Sequence, residues 1–415
     1  MKYLSTRGGE KGLSFTDVLL SSYAADGGMY LPETIPKVSL EVMRTWADLS
    51  YEDLCAEILY LYVGEEIELE ALQQMIKAAF VSFNVEKKNM SDPPLPMHQF
   101  GDLYLLDCSL GPTFAFKDIG QQIVVQLLNH VLDVQKKRAL ILLDTSGDTG
   151  PAAIDAVKQC TAVDIICLYP HQRVSSVQEL QMITVLNNNV HIYRTEGTSD
   201  EQASVLKEIF SDQSFSHKHH LCSINSINWG RILCQSTYYI WAYLQLCGKT
   251  SECGIKEVSF CIPTGAFGNA LGAFIARQMG FPILKILCAT NANDIVYRTL
   301  SSGDMSMGTN IQTISPASKL YLHHPNQSSP LHFTHSMTSP LNISPLNIAL
   351  TIYYLLPYQV WTVSDLTDTV IPFRLVVSYS LLFFPLALFS SGYSICLQFR
   401  TMYLLLMWRR PLSRA

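Results

Sequence analysis

This 415-residue chain predicts an α/β fold of parallel sheets flanked by helices, preceded by a helical N-terminal domain and followed by an atypical C-terminal tail. Three observations carry that reading. Strand-like runs at Leu140 to Leu143, Val163 to Tyr169, Val190 to Tyr193 and Val258 to Ile262 alternate with helical stretches at Pro151 to Cys160, Ser175 to Leu186, Asp200 to Phe210 and Arg231 to Cys247. Two of those strands run directly into glycine-rich turns that open helices, Thr145-Ser-Gly-Asp-Thr-Gly150 and Pro263-Thr-Gly-Ala-Phe-Gly-Asn-Ala270. Sheets of this kind bind ligands beyond the carboxyl ends of their strands, which puts both turns on one rim.

Residues 1–100 form the first unit. Phe15 to Leu20 precedes a Gly-Gly turn with Pro32 and Pro36, and helices are expected around Tyr51 to Val63 and Glu66 to Phe83. Pro93, Pro94 and Pro96 close the unit, as proline clusters often do at domain edges. Residues 101–310 form the α/β region. Within it Leu103 to Asp107 reads as a strand, and Ile119, Ile123, Val124, Leu127, Leu128, Val131 and Val134 recur at helical spacing. Residues 311–415 are the tail. From Ser318 onward its only acids are Asp365 and Asp368 and its only glycine is Gly392, and no strand-turn-helix alternation is visible. The uncharged run 375–399, flanked by Arg374 and Arg400, is long enough to span a bilayer, although Pro385 and several serines interrupt it.

Lys117, between the strand Leu103 to Asp107 and the long helix, is the candidate catalytic residue. The positive helix N-terminus and the apolar walls Phe114 and Phe116 both favour a neutral amine, which is a nucleophile. Chemistry that uses such a lysine is Schiff-base formation with a carbonyl, most often the aldehyde of pyridoxal phosphate. The first glycine-rich turn offers N–H groups and hydroxyls to an anion such as a carboxylate, and the second is a phosphate cradle by the same physics. Arg231 opens a long apolar helix, either as a bidentate anion clamp or as a solvated first-turn residue. His217-Lys-His-His220 reads as a solvated loop, and no metal site is expected.

The segments Leu110-Gly-Pro-Thr-Phe-Ala-Phe-Lys117-Asp, Thr145 to Gly150, Pro263 to Asn269 and Asn225-Ser-Ile-Asn-Trp-Gly-Arg231 occur in order over residues 1 to about 310. Together they resemble the threonine synthases of the pyridoxal phosphate fold type II class, most closely the vertebrate threonine synthase-like 2 branch. The resemblance implies that Lys117 carries pyridoxal 5'-phosphate, that Ser146, Gly147, Asp148 and Thr149 hold the substrate carboxylate, and that Gly265, Ala266, Phe267, Gly268 and Asn269 hold the cofactor phosphate. Many relatives carry Asn where Ala266 stands, which removes one side-chain donor. Lys2, Ser5, Thr6 and Arg7 are candidates for a substrate phosphate. The family's C-terminal part would return strands to the sheet and supply a hydroxyl facing the pyridine nitrogen, and no motif in the tail carries that role. The implied activity is a phospho-lyase acting on O-phosphothreonine and O-phosphohomoserine. A threonine synthase proper, a hydroxyamino-acid dehydratase, and an impaired secreted, membrane or binding isoform stay open.

A net charge of −6 argues against nucleic acid as a main partner; the resemblance implies a small phosphorylated amino acid as the substrate. Eleven irregularly spaced cysteines suggest reduced thiols, and Met1 to Phe15 lacks an apolar leader, so a cytoplasmic location is the default expectation.

Overall fold

Six strands form the larger sheet, in the order Val370–Arg374, Ile283–Thr290, Val258–Pro263, Leu404–Arg409, Leu103–Asp107 and Met97–Phe100. The computed structural model describes residues 1–21, 23–84, 92–197, 199–264, 267–290, 293–304 and 306, together with the two tail strands just named. Leu404–Arg409 runs antiparallel to both of its neighbours, so Leu103–Asp107 and Val258–Pro263 point the same way. Leu404 pairs with Asp107 and Leu406 with Cys261. The loops leaving Asp107 and Pro263 therefore emerge at one level of one rim.

The smaller sheet has the order Val190–Thr195, Val163–Pro170, Ala139–Asp144 and Leu221–Cys222, and all its pairings are parallel. Near-continuous apolar strands such as Ala139-Leu-Ile-Leu-Leu143 suit a sheet covered on both faces. The helix Lys117–Gln135 joins the two sheets and packs on the helix Thr149–Val157. At its centre the helix Trp229–Tyr243 is buried along its whole length, as expected for a helix apolar on nearly every side.

The N-terminal region holds the helices Tyr51–Val63 and Leu69–Ala79. It also holds a three-stranded antiparallel sheet, Lys11–Leu13, Tyr3–Ser5 and Tyr30–Pro32, whose strands of three residues are too short to show a period in sequence.

Two expectations are corrected. The tail does return strands to the larger sheet. A central strand reads as an unbroken apolar run rather than an alternating one, which hides Leu404–Arg409, while Pro372 is tolerated because Val370–Arg374 lies on the sheet edge. The rest of the tail, including the candidate span 375–399, lies outside the described residues. The histidine run is not a loop but the last turn of the helix Gln213–His219, with His220 as its left-handed cap. Asp212 caps the start through Phe215 N, and basic residues at the C-terminal end suit the helix dipole. Among the described residues no helix is long and apolar enough to cross a membrane.

Candidate active site

Lys117 is the first residue of its helix and is only 6% exposed. Its Nζ stands 3.4 Å from Asp148 Oδ2 and 5.9 Å from the centre of the Phe116 ring. Burial pushes the amine below the usual lysine range; Asp148 opposes that, and the like charge of Arg231 adds to it. The loop that aims Lys117 is tied by its neighbour Asp118, which accepts from Thr113 N at 2.9 Å and Thr113 Oγ1 at 2.6 Å. Burial raises the Asp118 carboxyl to about 7, against the lowering effect of those bonds.

The first glycine-rich turn follows the strand Ala139–Asp144. Thr145 Oγ1 accepts from Gly147 N at 3.0 Å and Gly150 N at 2.9 Å, folding the turn onto the start of the helix Thr149–Val157. Asp148 presents one carboxylate oxygen to Lys117 and the other to Gln178 Nε2, at 2.6 Å. Its side chain thus serves a cation and an amide, and an anion at this turn is left main-chain N–H groups and the Ser146 and Thr149 hydroxyls. Asp144, at the strand end, is raised to about 6 by burial and accepts from Asn225 Nδ2 at 3.3 Å.

In the second turn Gly265 and Ala266 lie outside the described residues. Phe267 is buried with φ 58, a left-handed conformation, and its N–H donates to Thr264 Oγ1 at 3.2 Å. Asn269 spends its side chain inside the turn, donating to Pro263 O at 2.9 Å and accepting from Thr264 Oγ1 at 2.8 Å and Ala270 N at 2.9 Å. It braces the cradle rather than reaching out of it. Gly268 opens the helix Gly268–Gln278, where a Cβ would lie 3.1 Å from Ser226 Cβ and 3.5 Å from Gln235 Oε1. A Cβ on Gly120, one turn after Lys117, would likewise lie 3.5 Å from Gln235 Cγ. Gln235 therefore borders both the lysine helix and the phosphate-type turn.

Arg231 is not solvated. It is 1% exposed and donates through Nη1 to Ile224 O at 3.0 Å, an acceptor it shares with Gln121 Nε2 at 3.2 Å. Asn228 caps its helix, accepting from Gly230 N and donating to Leu19 O and Ser223 O. At the N-terminus Ser5 Oγ donates to Asp26, Arg7 Nη1 donates to Asp26 O, and Thr6 Oγ1 accepts from Met29 N. Lys2 is exposed.

A family profile described as "Pyridoxal-phosphate dependent enzyme" matches residues 92–332, and one described as "Threonine synthase N terminus" matches residues 2–80. The chain is also 30% identical to the Escherichia coli threonine synthase, whose solved structure it matches with a TM-score of 0.67 over 76% of this chain and 70% of that one. The chain belongs to the threonine synthase family of pyridoxal-phosphate-dependent enzymes. Among other relatives, a threonine synthase-like 2 from Xenopus laevis is 41% identical over 318 residues, covering 76% of this chain and 66% of that protein. The Pseudomonas aeruginosa threonine synthase is 38% identical with the same coverage. A threonine synthase from Brucella melitensis, solved with pyridoxal phosphate bound, is 38% identical with a TM-score of 0.68, covering 76% of this chain and 66% of that one. The chain thus spans just under two thirds of the length of several of these relatives.

The residues present fit the family's cofactor. Lys117 is a buried amine of lowered basicity. A Cβ on Gly268 would crowd Ser226 Cβ at 3.1 Å, so the bare backbone is what keeps that turn accessible, and among the described residues Gln121 Oε1, Gln235 Oε1 and Thr290 Oγ1 are buried without a hydrogen-bond partner. Thr290 follows Ala289, which pairs with Pro263, so the residue ends its strand at the rim where that turn begins.

Sequence reasoning missed Asp118, Asp144, Gln178, Gln235 and Thr290. Only Gln178 left a local signal, the capping box Ser175-x-x-Gln178.

Proposed function

We propose that this enzyme is a phospho-lyase of O-phosphorylated amino acids, taking O-phosphothreonine or O-phosphohomoserine and water to 2-oxobutyrate, ammonia and phosphate. The observation that carries the reading is Lys117, buried at a strand-to-helix junction beside Asp148 of the first glycine-rich turn, with Gln235 bordering both its helix and the Gly268 turn. The likeness to threonine synthase-like 2 proteins supports elimination over replacement, the reaction that the motif resemblance implies.

Lys117 Nζ is the group that holds the cofactor aldehyde, and burial supplies the neutral amine that this requires. The turn Gly265 to Asn269 holds the cofactor phosphate, through the N–H groups at the start of the helix Gly268–Gln278. When bound, pyridoxal phosphate supplies the electron sink for charge left at the substrate Cα. The turn Ser146 to Thr149 orients the substrate carboxylate, and the buried Arg231 guanidinium adds positive charge near Lys117. A free Lys117 amine beside the substrate would serve as the base that takes the Cα proton and, as the ammonium, as the acid that gives a proton back to substrate carbon. Phosphate leaves as the C–O bond breaks. The walls around Lys117 exclude water until then, since Lys117, Asp148 and Arg231 are all at least nine-tenths buried. A cytoplasmic setting belongs to the same proposal, because the ten described cysteines are free thiols.

Threonine synthase proper is the second reading, favoured by bacterial and yeast relatives of that name at 38% identity. The test is product analysis of the purified, cofactor-loaded chain with each phosphorylated substrate. The proposal expects 2-oxobutyrate and phosphate in equal amounts. Threonine and phosphate in equal amounts would replace it with the second reading.

A further inference from the structure

The helix Ser176–Ile183 takes no part in the chemistry above, yet it touches both loops that do. Gln181 Nε2 donates to Thr113 O at 3.2 Å, in the loop leading to Lys117. Gln178, 8% exposed, donates through Nε2 to Asp148 Oδ1 at 2.6 Å, and Asp148 Oδ2 is the oxygen that faces Lys117. The amide is fixed in this sense, because Oε1 accepts from Ser175 N at 3.0 Å and closes the capping box. The fit is close: a Cβ on Gly147 would lie 2.4 Å from Gln178 Oε1.

We propose that Gln178 is a positioning residue that anchors one oxygen of Asp148 so that the other stays against Lys117, and thereby sets how readily the Lys117 amine reacts. This rests on the reading of Lys117 as the cofactor-bearing amine. A glutamine amide donates at every pH, so the anchor does not loosen within the working range as a protonatable donor would. Two charged groups bear on Lys117, Asp148 from the turn after Ala139–Asp144 and Arg231 from the central helix. If the anchor is cut, the carboxylate rotates, Lys117 loses its nearest opposite charge, and the amine is freed at lower pH.

The test is pulse acetylation of the full chain with acetic anhydride over a pH series, no cofactor added, reading the Lys117 peptide by mass spectrometry. Gln178→Met, which cannot donate, lowers the midpoint of Lys117 labelling by about half a pH unit or more. Gln178→Glu keeps the capping acceptor and sets a second carboxyl beside Asp148, and it moves the midpoint up. Ser175→Ala breaks the capping box from the other side, leaves the Nε2 donation intact, and does not move the midpoint. Should Gln178→Met fail to fold, Gln178→Asn, whose shorter side chain keeps an amide but falls short of Asp148, carries the test with the same expected fall. An unmoved midpoint in the folded Gln178 variants, or an equal shift in Ser175→Ala, overturns the proposal. Adding pyridoxal phosphate and borohydride to the same samples separates the two claims: cofactor attached elsewhere than Lys117 overturns the cofactor reading, whereas flat midpoints with cofactor on Lys117 overturn only the role of Gln178.

Discussion

The Asp148 carboxylate, carried by the smaller sheet, reaches the Lys117 amine of the helix that follows the larger sheet, at 3.4 Å and with both side chains less than one-tenth exposed. Burial favours the neutral amine and Asp148 favours the ammonium. Asp148→Asn removes the opposing charge and nearly keeps the shape. The variant is expected to release the Lys117 amine at a pH lower by about one unit, read as the midpoint of Lys117 acetylation. A midpoint equal to that of the unaltered chain would mean the two groups do not interact in solution.

Asp118 gives a prediction on pH and stability. Its folded-state pKa of about 7 lies above its ordinary value of 3.8, so the folded chain holds this proton more tightly than the unfolded chain. Ionising it therefore costs stability, none of it below the unfolded value, progressively more between the two values, and all of it above the folded one. The stability of the unaltered chain relative to Asp118→Asn should fall as pH rises from about 4 to about 8, by a few kcal/mol at most. Denaturant unfolding of both proteins at several pH values checks this. A difference independent of pH contradicts the buried-acid account.

The two glycine-rich turns should respond differently to the same substitution. Gly147 has φ +130 and no room for a Cβ beside Gln178. Gly147→Ala should lower the unfolding free energy by about 1–3 kcal/mol, seen as a reduced denaturant midpoint. At Gly268 φ is not positive and the Cβ meets Ser226 at 3.1 Å and Gln235 Oε1 at 3.5 Å, both side chains, so Gly268→Ala should cost less stability than Gly147→Ala. Crowding of the phosphate approach should instead weaken cofactor binding about tenfold in an absorbance titration. Equal affinity in the variant would remove the Gly268 turn from the cofactor site.

The alternating strands and helices, the two turns and Lys117 were legible because each is a local pattern of apolar spacing and glycine placement. What was not legible depends on residues far apart in the chain. Gln178 meets Asp148 across 30 positions, and Asn225 meets Asp144 across 81. The buried setting of Arg231 follows from helices packing on three sides of Trp229–Tyr243, which no local window contains. The strand Leu404–Arg409 was invisible because a strand between two others needs no alternation.

That strand carries a prediction of its own. It joins Val258–Pro263 to Leu103–Asp107, so a chain ending at residue 400 would expose two strand edges inside the larger sheet. The shortened chain should give little soluble protein and no cooperative thermal transition by circular dichroism. Unchanged solubility and melting would show that the strand contributes nothing to the sheet.

The central claim is that Lys117 holds the cofactor. The full chain is incubated with pyridoxal phosphate, reduced with borohydride, digested, and mapped by mass spectrometry, with Lys117→Ala in parallel. The account predicts a single stoichiometric phosphopyridoxyl group on the Lys117 peptide, and a variant that folds but shows neither label nor bound-cofactor absorbance. A label on another lysine, or equal absorbance in Lys117→Ala, would contradict it.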